Sequence, residues 1–344
     1  MLSMRKTFIV GDIHGCFDEL MTLTAQIGLQ EDDLLISLGD IVDRGNKSVE
    51  VYQYLKSRPH SVVLMGNHER KHLNGVLSYA QEIVKVQFGD GYPAFLDWLS
   101  TLGYYYETED AIIVHAAFEH DVPLPAQREE VLSGSTAGEK YLEKKYAANT
   151  YWSDHYQGEK PIIYGHHVVG DFPRVQNNTY GIDTGCCHGG FLTAIELPGF
   201  IVHQVRSGKD YWKETQALWQ IPVLKAKDWD NMEIPAIQKQ LAKLHYIEDQ
   251  GVRRFLDSID HWLRQLEALT ITIKTGLDAF SYELLSKHPD NFNEAANKFF
   301  FRTFLFKSKA GNLTIEDVQR SLNTPNKIVA LATEIKITNI PAKW

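Results

Sequence analysis

Five short apolar runs in this chain each stop abruptly at side chains that can ligate metals, and this pattern restricts the possible folds more than any other feature. Residues 7–10 lead into Gly11, Asp12, Ile13, His14 and Gly15, and residues 34–38 into Gly39, Asp40, Ile41, Val42, Asp43, Arg44 and Gly45. Residues 61–65 lead into Gly66, Asn67, His68 and Glu69, residues 111–114 into His115, and residues 161–164 into Gly165 and His166. A short, β-branched, nearly uninterrupted apolar run is what a strand buried on both faces looks like. Open α/β sheets bind ligands at the carboxyl ends of their strands, so five such ends bring their donors to one place. Gly11, Gly39, Gly66 and Gly165 fit tight turns where backbone approaches a site closely.

The donors are Asp12, His14, Asp40, Asn67, His115 and His166. They mix hard carboxylate and amide oxygens with borderline imidazoles and include no cysteine. That chemistry suits Mn²⁺, Fe or Zn²⁺ and disfavours an all-oxygen Ca²⁺ site or a closed thiolate zinc site. Taken singly, an Asp-x-His is an ordinary solvated turn, a strand-end histidine is ordinary hydrogen-bonded core, and Asp43 with Arg44 is an ordinary surface ion pair. Core packing does not require all of them in this order, and together they read as a two-metal centre.

In that order the motifs resemble those of the PPP-type metallophosphoesterases, the calcineurin-like phosphoesterases, over roughly the first three fifths of the chain. The resemblance implies an α/β fold, a metallophosphoesterase β-sandwich with flanking helices. It also implies two divalent ions, with Mn preferred and Fe or Zn as alternatives. Asp12 and His14 would hold the first ion, Asp40 would bridge both, and Asn67, His115 and His166 would hold the second. His68 would be the general acid, paired with Asp43, and Arg44 the phosphate clamp. Residues 182–194 resemble the closing strand segment of the bacterial branch, which contains small serine/threonine protein phosphatases, diadenosine tetraphosphatases and the phosphatase module of polynucleotide kinase-phosphatases.

Elementary chemistry agrees with those roles. Two divalent ions about 3.5–4 Å apart hold a water as hydroxide at neutral pH and polarise the phosphoryl oxygens, so no protein nucleophile is needed. The leaving alkoxide does need a proton, which His68 supplies if Asp43 keeps it charged and oriented. A guanidinium fork binds phosphate oxygens at two points, as an ammonium does not.

Two positions depart from the family pattern. His115 is followed by Ala116 and Ala117 where the family usually has a glycine, and no arginine occurs in residues 129–161, where a second phosphate-binding arginine is expected. Arg70, Lys144, Lys145 and Arg174 are the candidate replacements. Residues 71–102 and 127–148 have polar-helical patterning without motifs, and as insertions between ligand-bearing strands they are expected to wall the cleft. Tyr104, Tyr105 and Tyr106 are expected to pack on both faces of a strand, with base stacking the alternative role.

With 35 basic and 44 acidic residues the net charge is −9, which argues against long duplex nucleic acid as a partner. The expected partners are a phosphorylated protein or a small phosphoester or nucleotide. Cys16, Cys186 and Cys187 form no disulfide framework, which favours a reduced, cytoplasmic setting. The basic start at residues 1–6 is followed by an apolar run that breaks at Gly11 and Asp12, too short for a signal peptide. No stretch is long and apolar enough to span a membrane.

Helical spacing is expected over 18–27 and 48–56, and a hairpin over 191–197 and 200–205 around Pro198 and Gly199. Residues 209–230 read as irregular and Trp-rich. Beyond them Ile234, Ile237, Leu241, Leu244 and Ile247 mark a helical face, continued by Val252, Phe255, Leu256, Ile259, Trp262, Leu263 and Leu266. Phe299, Phe300, Phe301, Phe304 and Phe306 are expected to form core there, with partner docking as the alternative. The expected organisation is a catalytic domain over 1–210 and a mainly helical C-terminal domain over 211–344. The preferred activity is phosphoester hydrolysis most like that of a bacterial serine/threonine protein phosphatase. Hydrolysis of a dinucleoside polyphosphate or of a nucleic-acid phosphate end is the alternative, and an interaction protein with a residual metal site is a third reading.

Overall fold

Each of the five apolar runs forms a strand, but the strands belong to two sheets. In the computed structural model, which describes residues 5–147, 149–244, 247 and 249–343, β1 (Thr7–Val10), β2 (Leu34–Ser37) and β3 (Ser61–Val63) lie in one sheet. They run parallel, with Phe8 opposite Leu35 and Ile36 opposite Val62. β4 (Tyr105–Glu107), β5 (Ile112–Val114), β6 (Ile162–Tyr164), β7 (Arg174–Gln176) and β8 (Thr179–Gly181) form the second sheet, in the order β4-β5-β6-β8-β7. The hairpin of β9 (Phe191–Leu197) and β10 (Ile201–Arg206) completes the first, whose order is β10-β9-β1-β2-β3. Residues 1–4 of the basic start and Ala148, the end of the second insertion, lie outside the described residues.

The two sheets pack face to face. Ile9, Ile36 and Ile195 of the first meet Ile113 and Ile163 of the second in one buried cluster. With a strand period of two, Phe8 and Val10 point the other way, into a cluster with Leu20, Leu23, Val51, Tyr52, Val84 and Phe95. These come from α1 (Phe17–Gln26), α2 (Ser48–Ser57), α4 (Tyr79–Phe88) and α5 (Tyr92–Leu99), with α3 (Asn67–Leu73) leading from β3 into this layer. The outer face of the second sheet carries Ile112, Val114 and Ile162 against Val131 and Leu132 of α6 (Glu129–Leu132) and against Trp152, with α7 (Thr136–Lys145) following α6. Burial on both faces is the physical reason the strands read as unbroken apolar runs.

Tyr104 and Tyr106 pack into different clusters while Tyr105 is exposed, so this triplet does pack on both faces. One expectation fails. Residues 209–230 are not irregular, because Tyr211–Ala226 is a helix, α8. Its interior Pro222 and scattered tryptophans blur the helical pattern. Its start is fixed instead by tertiary bonds: Tyr211 donates its hydroxyl to Glu19 at 3.0 Å, and the Trp212 amide donates to the Cys187 carbonyl at 3.1 Å.

The chain divides into two compact units, one ending at Val223 and one beginning at Leu224. The second is helical: α9 (Ile234–Lys243), α10 (Gln250–Lys287), α11 (Phe292–Ala296), α12 (Arg302–Lys309), α13 (Ile315–Ser321) and α14 (Pro325–Glu334). The 38-residue α10 is its axis, burying Ile259, Trp262, Leu263, Leu266, Ile273 and Leu277. Phe301 and Phe304 are buried in this unit and Phe280 rests against Phe299 and Phe301, as expected of core, whereas Phe300 is 70% exposed. Among the described residues no helix is long and apolar enough to cross a membrane.

Candidate metal centre

The loops at the strand ends hold a backbone conformation that side chains disfavour. His14, Asp40, Asp43, Arg44 and His166 have φ of 46°, 48°, 70°, 66° and 74°, the left-handed region that costs a non-glycine residue free energy unless its surroundings enforce it. The enforcing bonds run between the loops. The His14 amide donates to the Asp40 carbonyl at 2.8 Å and that of Gly15 to Ile41 at 2.9 Å. Glu69 accepts from the amides of Asp40 (2.8 Å), Ile41 (2.9 Å) and Gly66 (3.1 Å). The His166 amide donates to both Asp12 carboxylate oxygens, at 3.1 and 3.2 Å. Glycine is needed at 66 and 165 because a Cβ there would strike the carboxylates of Asp40 and Asp12.

Asp40 is the hub. Its Oδ2 lies 3.6 Å from His14 Nε2 and 3.8 Å from His68 Nε2, and its Oδ1 lies 3.5 Å from His115 Nε2. His14 and His115 give their Nδ1 to the carbonyls of Val42 (2.9 Å) and Leu38 (3.0 Å), which fixes the tautomer and leaves each Nε2 lone pair facing inward. Donor atoms of His14, Asp40 and His68 lie within 4.8 Å of one another, as do those of Asp40, His115 and His166.

The Asn67 carboxamide joins this ring, its end lying 3.1 Å from His166 Nδ1 and 3.3 Å from His115 Nε2. Without a cation its NH₂ suits these imidazole lone pairs and the Asp40 carboxylate, and with one its oxygen does. Carboxylate, carboxamide and imidazole donors converging on Asp40 are a set that fits a divalent ion.

The electrostatics agree. Burial drives the His14 imidazole well down, helped by Arg44, and lowers His115 to about 4, so both favour the neutral, ligating form. Burial, with the neighbouring Asp183 and Asp40 carboxylates, pushes Asp12 well up, and burial raises Asp183 to about 6. Burial would also raise Asp40, but the surrounding histidines, led by His115, hold it far below the usual carboxylate range. Three buried carboxylates around one point repel one another, and a divalent cation relieves that repulsion.

A second network stands beside the first. His68 Nδ1 meets Asp43 Oδ2 at 2.6 Å, and the other Asp43 oxygen meets His72 Nε2 at 3.0 Å. His72 Nδ1 in turn lies 2.8 Å from the Tyr92 hydroxyl, and the Gln81 amide also donates to Asp43. Burial opposes ionisation of Asp43, but His72 and His68 hold its carboxyl far below the usual range. Arg44 bridges the two networks, donating from Nη1 to His14 Nε2 at 3.0 Å and from Nη2 to His68 Nε2 at 3.1 Å.

All nine expected residues thus gather in one place, Asp12 through the His166 amide rather than through an imidazole. The replacement cations do not join them. Arg70 pairs with Glu130 at 2.7 Å and lies over the Tyr104 ring, Lys145 pairs with Glu119 at 2.7 Å and Asp121 at 2.5 Å, Arg174 pairs with Asp154 at 3.2 Å, and Lys144 is exposed. Sequence reasoning gave no role to Glu69, His72, Asp183 or Glu139. Glu69 closes the Gly-Asn-His-Glu motif and Asp183 opens the closing segment, so both carried a signal. Glu139 carried none, yet its Oε1 lies 3.0 Å from His166 Nε2 and 3.4 Å from His167 Nε2.

The family described as calcineurin-like phosphoesterase matches residues 5–264. The asymmetrical bis(5'-nucleosyl)-tetraphosphatase PrpE of Anoxybacillus flavithermus is 31% identical over 240 residues, covering 60% of this chain and 96% of that protein. Its namesake from Bacillus velezensis is 30% identical over 234 residues, covering 59% of this chain and 93% of that protein. Both relatives match nearly end to end, leaving about two fifths of this chain without a counterpart in them.

Proposed function

The chain belongs to the calcineurin-like phosphoesterase family and is a metal-dependent phosphatase, and within that family we propose that Asp12, His14, Asp40, Asn67, His115 and His166 hold two divalent ions, Mn²⁺ first and Fe or Zn²⁺ as alternatives. The observation that carries this assignment is the convergence of His14, His115 and His166 on the two oxygens of the buried Asp40 carboxylate. Bound there, the ions would supply a water acidic enough to attack phosphorus at neutral pH and a positive field for the phosphoryl oxygens. The remaining chemistry belongs to side chains. His68 has Nδ1 committed to Asp43, and once Arg44 turns from its Nε2 to the phosphate that nitrogen is free to carry a proton and give it to the leaving oxygen. Arg44 places two amino groups across the same opening and grips phosphoryl oxygens in their place.

For the substrate, the two relatives support a dinucleoside polyphosphate, because each is named a bis(5'-nucleosyl)-tetraphosphatase and each aligns over more than nine tenths of its own length. A phosphorylated serine or threonine in a protein is the second reading, supported by the motif resemblance. We assign catalysis to residues 1–210, leave 211–344 outside it, and place the protein in the cytoplasm, where Cys16, Cys186 and Cys187 stay free thiols.

The test is a panel of para-nitrophenyl phosphate, a phosphopeptide, diadenosine tetraphosphate and a 3'-phosphorylated oligonucleotide, each with Mn²⁺. The preferred reading expects the highest kcat/KM on diadenosine tetraphosphate. A higher value on the phosphopeptide transfers the assignment to the second reading.

A further inference from the structure

A cavity of about 440 Å³, lined in part by the proposed metal ligand His166, opens beside the centre. Its walls come from the Ala116–Ala117 turn after β5, from Val131 and from the C-terminal half of α7 with the chain that follows it. The volume falls in the range of small-molecule sites. Leu142, Tyr146 and Tyr151 give it an apolar and aromatic lining. The two charged side chains that line it are the carboxylates of Glu139 and Glu143, and its described lining contains no lysine or arginine. Glu139 ties this wall to the centre through His166 Nε2, 3.0 Å away.

Those features select a ligand. Two carboxylates and no lysine or arginine make this cavity a poorer seat for a phosphate chain than the centre beside it, so the anionic part of a substrate stays at the centre, where Arg44 lies between His14 and His68. The part that fits the cavity is flat, largely apolar, uncharged and equipped with hydrogen-bond donors for a carboxylate. We propose that this cavity seats the base of a nucleotide substrate, and that it selects a base bearing an exocyclic amine, as adenine does, over one with a carbonyl at that position. Tyr146 and Tyr151 supply aromatic walls for the ring, and Glu143 accepts from the amine. A peptide side chain is the competing occupant, and the test includes it.

This inference rests on the phosphoester-hydrolase reading and deepens it, so the experiment separates the two. The Mn²⁺-loaded full chain is assayed on para-nitrophenyl phosphate with AMP, IMP, inorganic phosphate and a phosphopeptide as inhibitors. AMP is expected to inhibit at a concentration at least about tenfold below that of phosphate, because the ring adds burial and a charge-assisted hydrogen bond. IMP, which presents a carbonyl to the carboxylate, is expected to lose at least about tenfold against AMP. In Glu143→Gln the AMP-to-IMP ratio should fall toward one, and in Tyr146→Ala the AMP-to-phosphate ratio should fall. These ratios are internal to each variant, and Glu143 is exposed, so a folding defect in Tyr146→Ala leaves the first comparison standing. AMP no stronger than phosphate, AMP no stronger than the phosphopeptide, or ratios unchanged in both variants would each overturn the assignment. Selective AMP inhibition without turnover of diadenosine tetraphosphate sinks the substrate reading and keeps the cavity. Turnover without AMP selectivity does the reverse.

Discussion

The loops at the strand ends and the wall built by α6 and α7 both touch His166, and they are made in opposite ways. The loops hold five non-glycine residues at positive φ and pin them with buried backbone bonds, so each donor has one position. The wall is ordinary helix: α7 begins at Ser135, whose side chain accepts from the Gly138 amide, and it meets the site through the exposed end of Glu139. The comparison separates what must be rigid from what can vary. Chemistry at the loops depends on backbone placement and tolerates little change. Recognition at the wall depends on side chains carried by a stable helix, and these can change without disturbing the centre.

The widest break in that comparison comes from removing charge at the hub. Chelation should abolish turnover and Mn²⁺ should restore it. Asp40→Asn should cost metal at both positions, because Asp40 faces His14 and His68 on one oxygen and His115 on the other. Metal content by atomic spectrometry beside the rate is the measurement. Undiminished turnover in protein shown to be metal-free would refute the assignment.

Next in size is His68→Asn. If His68 gives a proton and does not bind metal, kcat should fall by roughly 10²–10⁴ while metal content stays near normal, and the loss should shrink on substrates with good leaving groups such as para-nitrophenol. The geometry makes this a sharp test, because His68 also falls in the cluster of His14 and Asp40. Loss of metal from this variant would make His68 a ligand.

The loops were legible in the sequence for the reason they are rigid. A donor that must follow a buried strand after a fixed turn leaves a fixed spacing, and Asp12, His14, Asp40, Asn67, His115 and His166 all stand at such spacings. Each of β1, β2, β3, β5 and β6 was legible too, since burial on both faces writes an apolar run. Their division into two sheets was not, because pairing is a property of distant segments. His72 reaches Asp43 only once α3 packs beside it, and Glu139 reaches His166 only once α7 folds over the second sheet, so neither left a local mark. α8 was hidden for a third reason: its helical pattern is weak, and its start is held by Glu19 and Cys187, far away in the chain.

A smaller effect is expected from the wall. Glu139 holds the outward nitrogen of His166, the position at which an outer carboxylate tunes a metal-bound imidazole. Glu139→Gln should weaken binding of the second ion by roughly 10–100-fold, with the first nearly unaffected. A two-site Mn²⁺ titration reads this directly. Equal weakening of both sites would show that the wall supports the whole centre.

The last effect is expected on stability rather than on activity, and it belongs to the loops. Burial raises the Asp183 carboxyl from 3.8 to about 6. An acid whose folded value lies above its unfolded one keeps its proton in the native state after the unfolded chain has lost it. Its contribution to stability is therefore fully present below about pH 4 and is lost as pH rises through about 6. The carboxamide that Asp183→Asn introduces cannot ionise and escapes that loss. Metal-free Asp183→Asn should gain stability over the metal-free parent between about pH 4 and pH 7, by up to about 3 kcal/mol at roughly 1.4 kcal/mol per unit. His14 and His115, whose values are lowered, shift stability in the opposite direction over part of this range in both proteins, whereas Asp12, which the Asp183 carboxylate helps to raise, is relieved in the variant, so the difference reports Asp183 together with its coupled neighbour Asp12. Bound divalent ions favour the carboxylate and should shrink the difference. Denaturant midpoints at pH 4.5 and 7.5, with and without Mn²⁺, measure it, and a difference that ignores both pH and metal would mean that Asp183 is not held near the charge of the centre.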